Sequence, residues 1–213
     1  MTKSKRYVEI RKVKDEGRFL HHNLLSVSHL NSPQKEKYPY EVIRRNGEDS
    51  VAVAIYTKIQ GEIYVGLKRV VRIAVLARKL KNKPIVCDLK ESLLLEVVAG
   101  SIEEHERSRK SRAREEVLEE AGFLVKTSKV FSLGKPFFTS PGQSTEKIYP
   151  FAVYVDIKSK MEEIGDGSMV EKESEKVKFY PFKKIVPMIK RGLIEDAKTE
   201  VILLRLFFKL NLL

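Results

Sequence analysis

Residues 51–57 (VAVAIYT) and 62–70 are short runs rich in β-branched and aromatic residues, joined through KIQGE. Such runs predict strands, and Gly61 in the connection predicts a hairpin turn. Three runs precede them, YVEIRKV, FLHHNLLSVSHL and YPYEVIRR, separated by the turn-forming stretches DEGR and NSPQKEK. They predict short strands. Further along, LLLEVVAG (93–100), FLVKTSKVFSL and IYPFAVYVDI each predict a strand. The polar stretch MEEIGDGSMVEKESEKV, with Gly165 and Gly167, reads as a flexible loop before a strand in KVKFYPF. FKKIVPMIKRG and DAKTEVILLRLFFKL predict two closing helices.

The stretch 99–123 organises the rest. Glu116, Glu119 and Glu120 stand at i, i+3 and i+4, which on a helix is one face. Like charges so placed cost an isolated helix a few tenths of a kcal/mol per pair, roughly. A solvated acidic face is the plain reading. A hard divalent cation held by oxygen ligands is the chemical one. Gly122 stands where a helix C-cap glycine belongs. The run RSRKSRAR (107–114) immediately precedes the acidic face and can neutralise part of it.

Composition adds three constraints. At 213 residues the chain fits one domain, or one with a small appendage. Lys+Arg 41 against Asp+Glu 29 gives a net charge of +12, which favours anionic partners such as phosphorylated metabolites and leaves nucleic acid open. A lone cysteine, Cys87, and a start without an apolar stretch of signal-peptide length point to a reducing, cytoplasmic compartment. The apolar C-terminal segment is interrupted by Arg205 and Lys209 and is too short to span a bilayer, so no membrane partner is expected.

The segment Glu116-Val117-Leu118-Glu119-Glu120-Ala121-Gly122-Phe123, with Gly100 upstream, resembles the Nudix box. That pattern runs Gly, five residues, Glu, seven residues, Arg-Glu, an aliphatic, any residue, Glu-Glu, any residue, Gly, an aliphatic. Ser140-Pro141-Gly142 followed by Glu146 resembles the loop of the ADP-ribose pyrophosphatase and nucleotide-sugar hydrolase branch of that family. The likeness implies a Nudix α/β/α sandwich with a mixed sheet and a small N-terminal β-subdomain. Residues 1–47 would form the subdomain, used for dimerisation and for the substrate pocket, and 48–213 the hydrolase domain.

The resemblance also assigns residues. Glu116, Glu119 and Glu120 would hold Mg²⁺, or Mn²⁺ in its place, together with the Ala99 carbonyl and Glu175; Glu96 would support that site. Arg72, with Arg69 second, would contact the pyrophosphate beside Ser140, Pro141, Gly142 and Glu146. Glu173 or Glu175 would be the general base, alongside Glu119 and Glu120 in the catalytic set. Residues 73–92 are longer than the usual link and read as an inserted interface element or lid. The reaction implied is Mg²⁺-dependent hydrolysis of ADP-ribose or another nucleoside diphosphate sugar by a homodimer. The alternatives are hydrolysis of a dinucleoside polyphosphate or capped RNA, and a Nudix fold that binds a nucleotide or nucleic acid without cleaving it.

One departure from the box stands out. Anchored on Glu119-Glu120 and Gly122, the usual Arg position holds Glu115, and the usual Glu eight residues earlier holds Arg107. The exchanged charges predict an Arg107–Glu115 pair bracing the loop against the helix; the opposite alignment, which keeps Glu106 and Arg114 at their usual spacing from Gly100, would make those two the brace.

Overall fold

The computed structural model describes residues 7–10, 19–28, 37–81, 83–102, 108–165 and 167–212. In chain order the strands are β1 (Tyr7–Ile10), β2 (Leu20–Ser28), β3 (Lys37–Arg45), β4 (Ser50–Ile59) and β5 (Glu62–Val71). A short helix α1 (Ile73–Ala77) leads to β6 (Ile85–Asp88), β7 (Leu93–Glu96) and β8 (Val98–Ser101). Helix α2 (Arg109–Ala121) precedes β9 (Phe131–Ser132), β10 (Phe137–Phe138) and β11 (Lys147–Tyr154). The chain ends with α3 (Met169–Glu173), β12 (Lys178–Pro181), α4 (Phe182–Lys190) and α5 (Ala197–Lys209).

The main sheet runs β10-β11-β4-β5-β12, with β7 on β5, β8 on β4 and β9 on β11. β4 and β11 are parallel and the other pairs antiparallel, so the sheet is mixed, as expected. β4 is buried on both faces, which is why VAVAI is a continuous apolar run. Val51, Val53 and Ile55 pack with Ala113, Val117 and Ala121 of α2 on one side. Ala52 and Ala54 pack with Ile202, Leu203 and Leu206 of α5, and with Ile185 of α4, on the other. These two cores are the α/β/α sandwich. The β4–β5 turn has φ of 49° at Gln60 and 85° at Gly61, the two left-handed residues that a tight type I′ hairpin needs.

The expected strand 93–100 is instead two strands. β4 and β5 pair with one another only over Ile55–Ile59 and Glu62–Gly66 and then separate. The chain comes in antiparallel to β5 as β7, reverses at Val97, and leaves antiparallel to β4 as β8. At the reversal, Val97 N–H donates to Thr199 Oγ1 of α5 at 3.0 Å. A side chain on a distant helix thus satisfies the amide that a continuous ladder would have used.

Two further expectations are corrected. FLVKTSKVFSL is a strand only at Phe131–Ser132, after a 3₁₀ turn at Thr127–Lys129. Phe123 and Val130 both pack into the α2 core, and one uninterrupted strand would send residues of odd separation to opposite faces. The polar stretch 161–177 contains α3, so part of it is helical. The 73–92 insertion folds on its own small core of Leu76, Cys87 and Leu89 with Val71, and its β6 pairs with β1.

Glu96, one residue before the reversal, is 1 % exposed. Its carboxylate accepts from Arg72 Nε and Nη2, both at 2.6 Å, and pairs with Lys198 Nζ. Burial pushes the Glu96 carboxyl up, but the Arg72 hydrogen bonds and the two positive charges outweigh it and hold the group below the usual carboxylate range. The same hydrogen bonding raises Arg72.

A substitution at Glu96 leaves two cations facing one another. Glu96→Ala is expected to cost about 3–5 kcal/mol in urea unfolding. Because the folded carboxyl titrates below its ordinary value of 4.5, its stabilisation is full above that pH and is lost on acidification. The stability gap between wild type and Glu96→Gln should therefore narrow as pH falls below 4.5. A gap that stays constant on acidification would show that the carboxylate charge is not what braces the reversal.

Candidate active site

A cavity of about 740 Å³ lies where β4 and β5 diverge. Its walls come from the ends of β4 and β5, the β7–β8 reversal, α2, the 139–148 segment, the α3 region and the start of α5.

α2 brings the carboxylates. Ser108 caps it, its hydroxyl accepting from Ser111 N–H, and Gly122 ends it at φ 71° in the left-handed conformation. Glu116, Glu119 and Glu120 all line the cavity, as their spacing predicts. Glu116 is buried, while the Glu119 side chain is 42 % exposed. Gly100 makes this possible: a Cβ there would lie 1.5 Å from Glu116 Oε1. The glycine is thus required by close approach of the helix carboxylate rather than by its own backbone angle. Ala99 lies in the same wall, and its N–H donates to Glu120 Oε2 at 3.4 Å.

Arg112 is the dominant cation of the helix. Its Nη2 meets Glu116 Oε1, its Nη1 lies 3.4 Å from Glu119 Oε2, and its Nε donates to the Ser101 carbonyl at 3.0 Å. The basic run before the acidic face thus neutralises it, as its position suggests. Glu115 pairs with Arg112 at 3.8 Å and with Arg114 at 3.6 Å. Arg107, its expected partner, lies outside the described residues, as does Glu106.

β5 divides its basic residues by parity. Lys68, Val70 and Arg72 line the cavity, and Lys68 Nζ stands 3.7 Å from Glu120 Oε1. Arg69, one residue out of phase, is exposed and does not line it. Arg72 does line it, although Glu96 takes two of its nitrogens.

Ser140, Pro141 and Gly142 form an exposed turn, with Gln143 and Ser144 N–H donating to the Ser140 carbonyl. They stay outside the cavity, but the turn carries Thr139 and Glu146 into it. Glu146 accepts from Arg45 Nη1 at 3.1 Å and from Ser50 Oγ at 2.5 Å. Phe137 packs against the core, and Phe138 is 46 % exposed on the far side of that strand. Glu173 and Glu175 do not line the cavity; Ser174 between them does, with Ser168 and Val170. Glu175 pairs with Lys178 at 2.5 Å.

Among the basic residues of the cavity, Arg45, Lys68 and Lys198 escape a sequence reading. Arg45 ends β3 and reaches Glu146 because the β2–β3 hairpin docks on the 140–146 turn, with Ile43 N–H donating to Gln143 O at 2.7 Å. Lys68 carried a usable signal, since it shares strand parity with Arg72.

The cavity wall suits a hard cation in its chemistry: it carries carboxylates from one helix face, with the Gly100 gap admitting Glu116. Among the described residues no three carboxylate, histidine or cysteine side chains converge as they stand, Arg112 lying between Glu116 and Glu119. Among the same residues no helix is long and apolar enough to cross a membrane.

No protein-family model matches the chain. It is 31% identical over 166 residues to GDP-mannose pyrophosphatase of Cronobacter sakazakii, covering 77% of this chain and 82% of the relative. It is 32% identical over 167 residues to GDP-mannose pyrophosphatase of Salmonella typhimurium, with the same shares covered. Its fold matches a solved ADP compounds hydrolase with a TM-score of 0.64 at 17% identity, covering 99% of this chain and 97% of the other. The identity, the shared length and the glutamate-bearing helix agree: the chain belongs to the Nudix family of pyrophosphohydrolases.

Proposed function

We propose that this chain hydrolyses the pyrophosphate of a nucleoside diphosphate sugar, such as GDP-mannose or ADP-ribose, to a nucleoside monophosphate and a sugar phosphate. The observation that carries this is one cavity lined both by the Glu116, Glu119 and Glu120 face and by Arg45, Arg72 and Lys198. A diphosphate needs both. Fixed cations hold its non-reacting oxygens, and carboxylates hold the divalent ion.

Glu116, Glu119, Glu120 and the Ala99 carbonyl are the residues that would hold Mg²⁺ (or Mn²⁺). When bound, such an ion neutralises phosphate charge and lowers the pKa of a bound water. Arg72, oriented by its two bonds to Glu96, binds the pyrophosphate; Arg45 and Glu146 shape the adjoining part of the cavity. For the proton of the attacking water we assign Glu173 or Glu175. They flank Ser174 in the wall, so a small shift of that segment presents either one.

The partner we assign is a second copy of the chain in a cytoplasmic setting. Leu20, Leu24, Leu25, Val27, Tyr38, Tyr40 and Ile43 of the β2–β3 hairpin are all exposed apolar residues, more than an isolated two-stranded sheet keeps in water.

Incubation with Mg²⁺ and a panel of GDP-mannose, ADP-ribose, other nucleotide sugars, a triphosphate and capped RNA, with products resolved by chromatography, tests the reaction. Monophosphate and sugar phosphate are expected from the sugars; preference for the triphosphate or capped RNA rejects the assignment. Glu120→Gln should abolish most turnover and leave the fold intact.

Glu173→Gln and Glu175→Gln separate the base from its neighbour. At least one should lower kcat by about 10²–10⁴-fold. Wild-type rates in both would move the role to Glu119 or Glu120.

Sedimentation equilibrium should give a dimer. Leu24→Asp with Leu25→Asp should give a monomer, and a monomeric wild type would overturn the hairpin's role.

A further inference from the structure

We infer that Arg112 positions the metal-binding carboxylates Glu116 and Glu119 by tying them to β8. The inference rests on the metal-site reading above and concerns how that site is held in shape.

The donor set comes from two elements. Glu116, Glu119 and Glu120 ride on α2, and the Ala99 carbonyl on β8. Their relative placement requires a tie between helix and strand. Arg112 supplies one with a single planar group. Its Nε donates to the Ser101 carbonyl of β8 at 3.0 Å, its Nη2 meets Glu116 and its Nη1 lies 3.4 Å from Glu119. The Arg112 side chain is 20 % exposed, so solvent screens these contacts weakly. Each carboxylate meets the guanidinium through one oxygen, Oε1 of Glu116 and Oε2 of Glu119.

Spacing explains why position 112 can serve. It lies one turn before Glu116 and two turns before Glu119, so it faces the same side of α2. It stands three residues before Glu115, close to one turn from the position the pattern assigns to arginine. A lysine would carry the same charge but, as a point donor, could not hold a strand carbonyl and two carboxylates in one plane.

That difference gives the test. Arg112→Lys keeps the charge, so any change in metal affinity reports geometry. Mn²⁺ binding, read without substrate from the spin-resonance signal of free Mn²⁺, is expected to weaken about 10–100-fold. The thermal midpoint of the metal-free protein should stay close to wild type. With the turned-over nucleotide sugar, kcat at sub-saturating metal should fall while KM holds. Arg112→Gln removes the charge, which by itself would tighten binding of a divalent cation; weakened binding there too supports positioning. Unchanged Mn²⁺ affinity in Arg112→Lys, or tightened affinity in Arg112→Gln, overturns it. Glu120→Gln reads the underlying site separately. If it binds Mn²⁺ like wild type, the metal site is misplaced. If it loses Mn²⁺ and Arg112→Lys does not, only the role of Arg112 fails.

Discussion

The buried Glu96 carboxylate is the constraint on which the site depends. It sits where a strand must reverse inside a sheet, in the gap between β4 and β5. A charge 1 % exposed is tolerated only with partners, and its partners are Arg72, just past the end of β5, and Lys198 at the start of α5. Asp196 caps α5 by accepting from Thr199 N–H, and Thr199 Oγ1 in turn receives the Val97 amide. Sheet, reversal and C-terminal helix therefore meet at one polar cluster. Moving any of the three would displace Arg72 in the cavity and Ala99 just beyond the turn.

The second organising fact is that α2 is charged against its own dipole. Arg109, Lys110, Arg112 and Arg114 occupy its N-terminal half, and Glu115, Glu116, Glu119 and Glu120 its C-terminal half. The macrodipole favours the reverse arrangement by a few tenths to about 1 kcal/mol per charge near each end. Local preference and global fold disagree here, and such disagreement marks functional surfaces. Packing of Ala113, Val117 and Ala121 on β4 outweighs it, and Arg112 folds back along the helix to moderate it.

Much of this was legible in the sequence because its signals are local. The β4–β5 hairpin follows from β-rich runs around Gly61, and α2 from its glutamate spacing and Gly122. The placement of Glu116, Glu119, Glu120 and Ala99 in one cavity follows from the box. What could not be read depends on partners far along the chain. The Val97 reversal needs Thr199, and Arg45 needs Glu146, each about a hundred residues away. Arg69 in β5 and Arg72 just past it are a different case: their odd separation puts them on opposite faces, and Lys68, at even separation from Arg72, shares the cavity with it. The Ser-Pro-Gly turn, which the resemblance places beside substrate, lies outside the cavity and carries Thr139 and Glu146 into its wall.

The docking of the β2–β3 hairpin has a consequence for how this protein can be divided. Arg45 lies before the boundary that its sequence suggests at residue 47, yet it shares a carboxylate with Ser50 beyond it. A hydrolase shortened to its sandwich would keep every glutamate of α2 and lose one of the positive groups opposite them. The exposed apolar residues Tyr38, Tyr40 and Ile43 lie on the same strand as Arg45. A partner seated on the hairpin would therefore act, through one strand, on the wall of the cavity that Arg45 lines.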